Sequence, residues 1–259
     1  MKTAISKDGT ALAYDIYGSG PVLIYITGAG CFRSMKPTLQ SAKVFASEFT
    51  VYNYDRRGRG DSGNTLPYAL EREVEDIEAM INAAGGRACL FGHSSGAVLA
   101  LESAMRLGDK VAKIVMYDPP YVHDETAKAE YGRLSRKVCK LLEDGKNAEA
   151  MSGFLKGIGV PRVFIFLIRL SRDWKTMVAL APTLAYDIAL TSDMPPLERA
   201  SRVTVPTHIV VGEKSPASIV AVAEPLAKAI PSAKFARLAG QDHMVDAKAL
   251  LPMLSSFLK

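Results

Sequence analysis

Ser94 stands in Gly92-His93-Ser94-Ser95-Gly96, between an apolar run, Ala88-Cys89-Leu90-Phe91, and a helix-forming run from Ala97 to Met105. A strand that turns this sharply into a helix holds its middle residue in strained backbone. Small residues two positions to either side let the chains approach. The hydroxyl is then pushed out at the top of a sheet, beside a helix N-terminus that favours negative charge. A serine so placed can attack a carbonyl, with the N–H of Ser95 directed at the oxygen that turns negative.

A serine hydroxyl is a weak nucleophile until a base takes its proton and a third group orients that base. The chain has 4 histidines. His93 adjoins the serine inside the turn, so its ring should point away from the hydroxyl. His208 lies in a strand-like run, and His123 opens a long segment without strands. His243 is the candidate base: it sits in Ala239-Gly240-Gln241-Asp242-His243, directly after the last strand-like stretch, Lys234 to Leu238. A loop at the C-terminal end of a strand is where a parallel sheet places its site residues. Thr27-Gly28-Ala29-Gly30-Cys31 follows another such strand, and its glycines let the backbone bend across the sheet top. There the N–H of Ala29 would join that of Ser95 as an oxyanion hole, with Gly28 and Cys31 beside the substrate.

The elements that must position these groups read as an α/β pattern. Asp8-Gly9 marks a β-hairpin between two short extended pieces. Unalternating apolar runs at Val22 to Ile26, Thr50 to Tyr54, Ala88 to Phe91, Lys113 to Tyr117 and His208 to Val211 suit strands buried on both faces of a parallel sheet. Helical patterns lie between them, at Pro37 to Ala46, Leu70 to Ala83, Ala97 to Leu107 and Ile219 to Ala229. The expected sheet is mostly parallel, with helices on both faces. From Tyr121 to Val203 the alternation stops. Only helix-like pieces appear, broken at Gly157, Gly159-Val160-Pro161, Pro182 and Pro195-Pro196, too long a stretch for a loop. It reads as a helical cap, residues 121–203, inserted into a core formed by residues 1–120 and 204–259. Its Phe154, Phe164, Phe166, Trp174, Met177 and Tyr186 would together make an apolar roof over a pocket, with Trp174, Met177 and Tyr186 as candidate lining.

Bulk composition narrows the partners. With 259 residues, 48% hydrophobic and 23% charged, the chain can bury one large core. Its formal charge of +5 is scattered, and Arg56-Arg57 with Arg59 is the densest basic cluster. No basic stripe is interleaved with aromatics, which argues against nucleic acid as a partner. Val163 to Ile168 is too short to span a bilayer, so no membrane partner is expected. The N-terminal residues lack the apolar stretch of a signal peptide, and the 3 cysteines form no CxxC pair. A cytoplasmic protein with reduced thiols is the expectation. No metal-ligand spacing appears, and no cofactor is expected.

Taken together, these features resemble the α/β-hydrolase family over essentially the whole length, within its serine-nucleophile branch of esterases and lactone hydrolases. Asp55-Arg56-Arg57-Gly58-Arg59-Gly60-Asp61-Ser62 is similar to that family's D-x-R-G-x-G-x-S loop, which braces the site. Val205 to Gly212 is similar to the strand leading to its usual acid. Two departures stand out. Thr27 occupies a position where members commonly carry histidine, and Ser215 stands where the acid is expected in Gly212-Glu213-Lys214-Ser215. Some members place the acid instead after the strand that follows the elbow helix, which here gives Asp118, before Pro119-Pro120. Glu213 is the alternative, and a triad without an acid is the third possibility.

The resemblance implies an α/β-hydrolase fold with its helical cap between the strand ending near Tyr117 and the strand starting near Thr207. It implies a cofactor-independent serine hydrolase acting on a hydrophobic ester or lactone through Ser94, His243 and Asp118. Carbon–carbon bond hydrolysis, acyl transfer and a non-catalytic ligand-binding role use the same fold and remain alternatives.

Overall fold

A computed structural model describes residues 1–231 and 233–259. The chain runs through β1 (Lys2–Ile5), β2 (Ala11–Tyr17), β3 (Val22–Ile26), α1 (Lys36–Phe45), β4 (Thr50–Tyr54), α2 (Leu70–Ala83), β5 (Ala88–His93), α3 (Ser95–Leu107) and β6 (Val111–Tyr117). A purely helical stretch follows, α4 (Glu125–Glu143), α5 (Asn147–Gly157), α6 (Arg162–Arg169), α7 (Trp174–Ala179), α8 (Leu184–Thr191) and α9 (Leu197–Ala200). The sheet then resumes with β7 (Thr207–Gly212), α10 (Ala217–Ala229), β8 (Ala233–Leu238) and α11 (Ala247–Leu258).

Among the described residues the strands form one 8-stranded sheet in the order β1-β2-β4-β3-β5-β6-β7-β8. The β1–β2 and β2–β4 pairings are antiparallel, and every pairing from β4 to β8 is parallel. This is the mostly parallel α/β-hydrolase sheet expected from the sequence. The chain leaves β3 for β4 on one side and later returns as β5 on the other, so the order reverses between β3 and β5. Ligand sites of open α/β sheets form at such a reversal, beyond the carboxyl ends of the strands.

The unalternating strands are explained by two faces being covered. Ile24, Ile26, Leu90, Ile114, Met116, Ile209 and Val211 point into a core that includes Val74 and Ile77 of α2, Leu99 of α3 and Val222 of α10. Their neighbours Leu23, Tyr25, Cys89, Phe91, Val115, Tyr117 and Val210 point the other way, against Phe45 of α1 and Leu250 and Leu254 of α11. Successive strand residues alternate faces, so both cores are built from the same runs.

A third apolar cluster belongs to the helical stretch. Val138, Met151, Phe154, Ile165, Met177 and Leu184 pack there with Phe32 and Met35 of the core, and with half-buried Ala29, Cys31 and Trp174. Two aromatics expected in this roof are elsewhere. Phe164 and Phe166 are 56% and 61% exposed, because α6 turns Ile165 and Ile168 inward and its helical period carries the residues beside Ile165 outward. No helix of the described residues is long and apolar enough to cross a membrane.

The turn from β5 into α3 is as tight as its glycines suggest. Ser94 has φ 56° and ψ −127°. A Cβ on Gly92 would overlap the backbone of Gly96 and Ala97, and one on Gly96 would overlap the carbonyl oxygen of Ile26 at the end of β3. Gly96→Ala is therefore expected to cost about 1–3 kcal/mol through overpacking, or to prevent folding. Gly132→Ala, on α4 where a Cβ meets only the Arg136 guanidinium at 3.5 Å, is expected to stabilise by about 0.5–1 kcal/mol. Urea unfolding of the two variants checks the contrast.

Candidate active site

Ser94, Asp118 and His243 come from three places in the chain and meet at the carboxyl edge of the sheet. Ser94 directly follows β5 and Asp118 directly follows β6; these strands pair in parallel, with His93 opposite Tyr117. The Ser94 N–H donates to the Tyr117 carbonyl oxygen at 2.9 Å, and the Asp118 N–H to that of Val210 at 3.0 Å. His243 follows β8. Its Nε2 lies 3.2 Å from Ser94 Oγ, and its Nδ1 lies 3.0 Å from Asp118 Oδ2. A carboxylate only accepts, so the Nδ1 carries the proton and Nε2 presents a lone pair to the serine hydroxyl.

Asp118 is fully buried and has φ 49°, a left-handed conformation uncommon outside glycine. Its carboxylate is tied on both oxygens. The Gly212 N–H donates to Oδ1 at 3.2 Å, and the Ser215 hydroxyl donates to Oδ2 at 2.6 Å. Ser215 was read only as the loss of an acid; in space it is a buried donor on the carboxylate that faces His243. Glu213, the alternative acid, is exposed and accepts from the Gly240 N–H at 2.7 Å. It braces the His243 loop from the outside rather than meeting the imidazole.

That loop is held at two further carbonyls. The Tyr117 hydroxyl donates to the Asp242 oxygen at 2.6 Å, and His93 Nε2 lies 2.8 Å from the His243 oxygen. A carbonyl accepts, so Nε2 of His93 is the donor. The His93 ring is thus turned to the His243 loop. Burial, followed by the neighbouring His243 ring at 5.1 Å, pushes its pKa down to about 4.

The turn after β3 lies against Ser94. A Cβ on Gly28 would stand 3.0 Å from Ser94 Cβ and 3.2 Å from the His93 carbonyl oxygen, tighter than ordinary contact. Ala29 follows it, and Ser95 opens α3 on the other side of Ser94. Beyond Ala29, a Cβ on Gly30 would meet Met151 Sδ at 3.6 Å and Met177 Cε at 3.8 Å, so the helical stretch supplies an apolar wall here. Cys31 is half-buried and burial raises its thiol pKa. Trp174 packs at the edge of the same apolar cluster and holds the Arg169 guanidinium 5.8 Å from its ring. Tyr186 is directed elsewhere: its ring stacks on Tyr68 at 3.9 Å and its hydroxyl meets the Asn64 side chain.

The basic cluster in the loop after β4 is buried, and each of its guanidinium groups meets a carboxylate. Arg56 forms a bidentate pair with Glu73, both contacts at 2.7 Å, and reaches Asp187 at 2.9 Å. Arg57 forms a bidentate pair with Asp76, also at 2.7 Å, and reaches Asp8 at 2.9 Å. Arg59 holds both oxygens of Asp187 at 2.8 Å. Asp187, on α8, has no motif to announce it, and only the three-dimensional structure shows it at the centre of this network.

Comparison with known proteins agrees with the fold. The profile of the alpha/beta hydrolase family matches residues 22–254. An alpha/beta hydrolase structure from Sphaerobacter thermophilus is 38% identical, with a TM-score of 0.89 over 100% of both chains. A 2-(acetamidomethylene)succinate hydrolase from Mesorhizobium japonicum is 29% identical over 245 residues, which are 88% of this chain and 84% of that one. A proline iminopeptidase, PfmaB, from Pestalotiopsis fici is 27% identical over 144 residues, and this match spans 51% of that relative and 52% of this chain.

The His93 shift has a signed consequence. In the unfolded chain the ring titrates near 6.5, whereas in the folded chain it stays neutral down to about 4. The unfolded state takes up the proton first, so the stability from neutral His93 is complete above pH 6.5 and is lost as pH falls toward 4. The melting temperature should fall across this window, and less steeply in His93→Gln, whose amide can still donate to the His243 carbonyl. Differential scanning fluorimetry at stepped pH measures both slopes.

Proposed function

The chain belongs to the alpha/beta hydrolase family, and on that footing we propose that it is a serine hydrolase. It cleaves a carboxylic ester or lactone of a hydrophobic small molecule without a cofactor. The observation that carries the proposal is the linear relay of Ser94 Oγ, His243 Nε2 at 3.2 Å and Asp118 Oδ2 3.0 Å beyond Nδ1. His243 takes the Ser94 proton as the oxygen attacks the carbonyl, and Asp118 stabilises the imidazolium that forms. The oxyanion is held by the N–H groups of Ala29 and Ser95. His243 passes its proton to the leaving alcohol, and the acyl-enzyme is released by a water that the same histidine activates.

In this reading residues 121–203 are the cap over a core of residues 1–120 and 204–259. Gly28, Cys31 and Met177 line the pocket, Trp174 packs at its edge, and Tyr186 fastens cap to core. The buried carboxylate at Asp118 supports turnover over the non-catalytic alternative, which rested on Ser215 alone. Carbon–carbon bond hydrolysis and acyl transfer need the same relay, and a substrate panel separates them.

Met151 and Met177 are flexible, polarisable side chains suited to varied apolar groups. Arg56, Arg57 and Arg59 each face a carboxylate of the protein itself, which leaves none of the three to pair with a substrate anion. Esters of uncharged acids should therefore exceed half-esters of dicarboxylic acids in kcat/KM by more than about tenfold, since an unpaired charge beside apolar walls is costly. Equal rates across a matched alkanoate and half-ester series would overturn this preference.

On a short-chain chromogenic ester, Ser94→Ala is expected to abolish turnover and Asp118→Asn to lower kcat by about 10⁴-fold, the scale of holding the wrong imidazole tautomer. Glu213→Gln should retain activity. Ester hydrolysis indifferent to Ser94→Ala, or crippled by Glu213→Gln and not by Asp118→Asn, sinks the assignment.

A further inference from the structure

We propose that Asp187 of α8 is a positioning residue for both oxyanion donors, acting through Arg59 on the Ala29 N–H and directly on Ser95. The proposal rests on the hydrolytic reading above, because it concerns the site where that reaction's negative charge develops.

The geometry of a peptide plane carries the first half. The Gly28 carbonyl and the Ala29 N–H belong to one trans peptide and point in opposite directions, so fixing the oxygen fixes the hydrogen. Arg59 Nη1 donates to the Gly28 oxygen at 2.7 Å, and the Cys31 N–H approaches it at 3.4 Å. Arg56 Nη1 donates likewise to the preceding carbonyl, that of Thr27, at 3.3 Å. Two glycines flank Ala29, so this turn has little intrinsic preference of its own, and the guanidinium contacts supply what the sequence lacks.

The second half is the other donor. Ser95 Oγ donates to Asp187 Oδ1 at 2.7 Å and accepts from Arg56 Nη1 at 3.2 Å. The residue whose N–H completes the hole is thus clamped by its side chain to the same carboxylate that holds Arg59. Asp187, Arg56 and Arg59 are all about 1% exposed or less, so these contacts are made away from water. Burial alone would raise the Asp187 carboxyl, but Arg59 and Arg56 beside it outweigh burial and hold it below the usual range. It remains a carboxylate at any pH at which a histidine base works. Removing the charge would leave two buried guanidinium groups partly unpaired, with the Gly28 carbonyl as the flexible thing they hold.

The aspartate comes from the helical stretch and the arginines from the loop after β4, so the seat of the cap and the shape of the hole depend on one ion cluster. A purely structural role would change the amount of folded enzyme. A positioning role lowers kcat in enzyme that is fully folded.

The test uses the intact chain and the chromogenic ester, with wild-type turnover and its loss in Ser94→Ala establishing the underlying reading first. Asp187→Asn is expected to lower kcat by about 10²–10³-fold, the scale of losing one oxyanion donor, with KM within about threefold and the pH profile of kcat unmoved. Arg59→Ala should lose as much and regain part of it on adding guanidinium chloride at non-denaturing concentration. Should the loss of charge at Asp187 prevent folding, Ser95→Ala removes only the hydroxyl that reaches Asp187 and is expected to lower kcat by about tenfold. Folded Asp187→Asn or Ser95→Ala enzyme with wild-type kcat overturns the proposal while leaving the hydrolase reading intact. An inactive wild type, or a Ser94→Ala variant that still turns over ester, removes the hydrolase reading instead.

Discussion

Backbone meets backbone beside Ser94 with no side chain between, and the rest of the site is built around that contact. Gly28 lies against Ser94, Gly96 against the Ile26 carbonyl, and Gly92 against Gly96. The end of β3 and the start of α3 can approach only because these positions lack a Cβ. The approach brings the turn after β3 next to the serine hydroxyl and sets α3 at the angle that its core packing requires. A bulky residue at any of them would separate Ser94 from the turn after β3. The close contact has a cost, since bare backbone turns are pliable, and the rigid ion cluster of Arg56, Arg59 and Asp187 lies immediately behind it.

That cluster explains why a loop with three arginines contributes nothing to the protein's outward charge. Arg56, Arg57 and Arg59 are buried, and each ends on a carboxylate in bidentate or forked geometry. Removing one partner from such a pair is far more damaging than replacing the pair, because the charge left behind has no water to turn to. The loop is therefore better understood as internal framework than as a basic surface. Its arginines are suited to this because the planar guanidinium serves a carboxylate and a carbonyl at once.

Local sequence carried most of the fold and two members of the proposed relay, Ser94 and His243. The doubly buried strands were legible because each is an unbroken apolar run, and Val22–Ile26 and Thr50–Tyr54 appear with the ends their residues suggested. Ser94 was legible from its glycines, and His243 from elimination among four histidines. The third group was harder, since the Gly212 to Ser215 stretch shows a missing acid and not where the charge has gone. What stayed hidden depends on contacts across the chain. Asp187 lies 131 residues from Arg56 in sequence and is one aspartate among many until the fold joins them. The donor role of Ser215 toward Asp118 spans 97 residues. The helix Ala247–Leu258 also went unread: Pro252 interrupts its pattern, yet its buried Leu250, Leu254 and Leu258 keep a helical period against the sheet. The exposure of Phe164 and Phe166 shows the converse failure, where apolar character was read without helical phase.

The pairing of β5 with β6 divides rigidity unequally among the three residues of the proposed relay. Ser94 and Asp118 extend from hydrogen-bonded neighbours, and the Ser94 N–H is itself bonded to the residue before Asp118. The gap between Ser94 and Asp118 is thus a lattice spacing of the sheet, and stretching it means breaking strand pairing in the middle of the core. His243 alone sits on a loop, with 29% of its side chain open to solvent. In the proposed reaction that imidazole is the member that has to serve two oxygens in turn, first the serine's and then the leaving group's. On that proposal the sheet acts as a fixed gauge, and the small motion the chemistry needs falls to the ring that makes it.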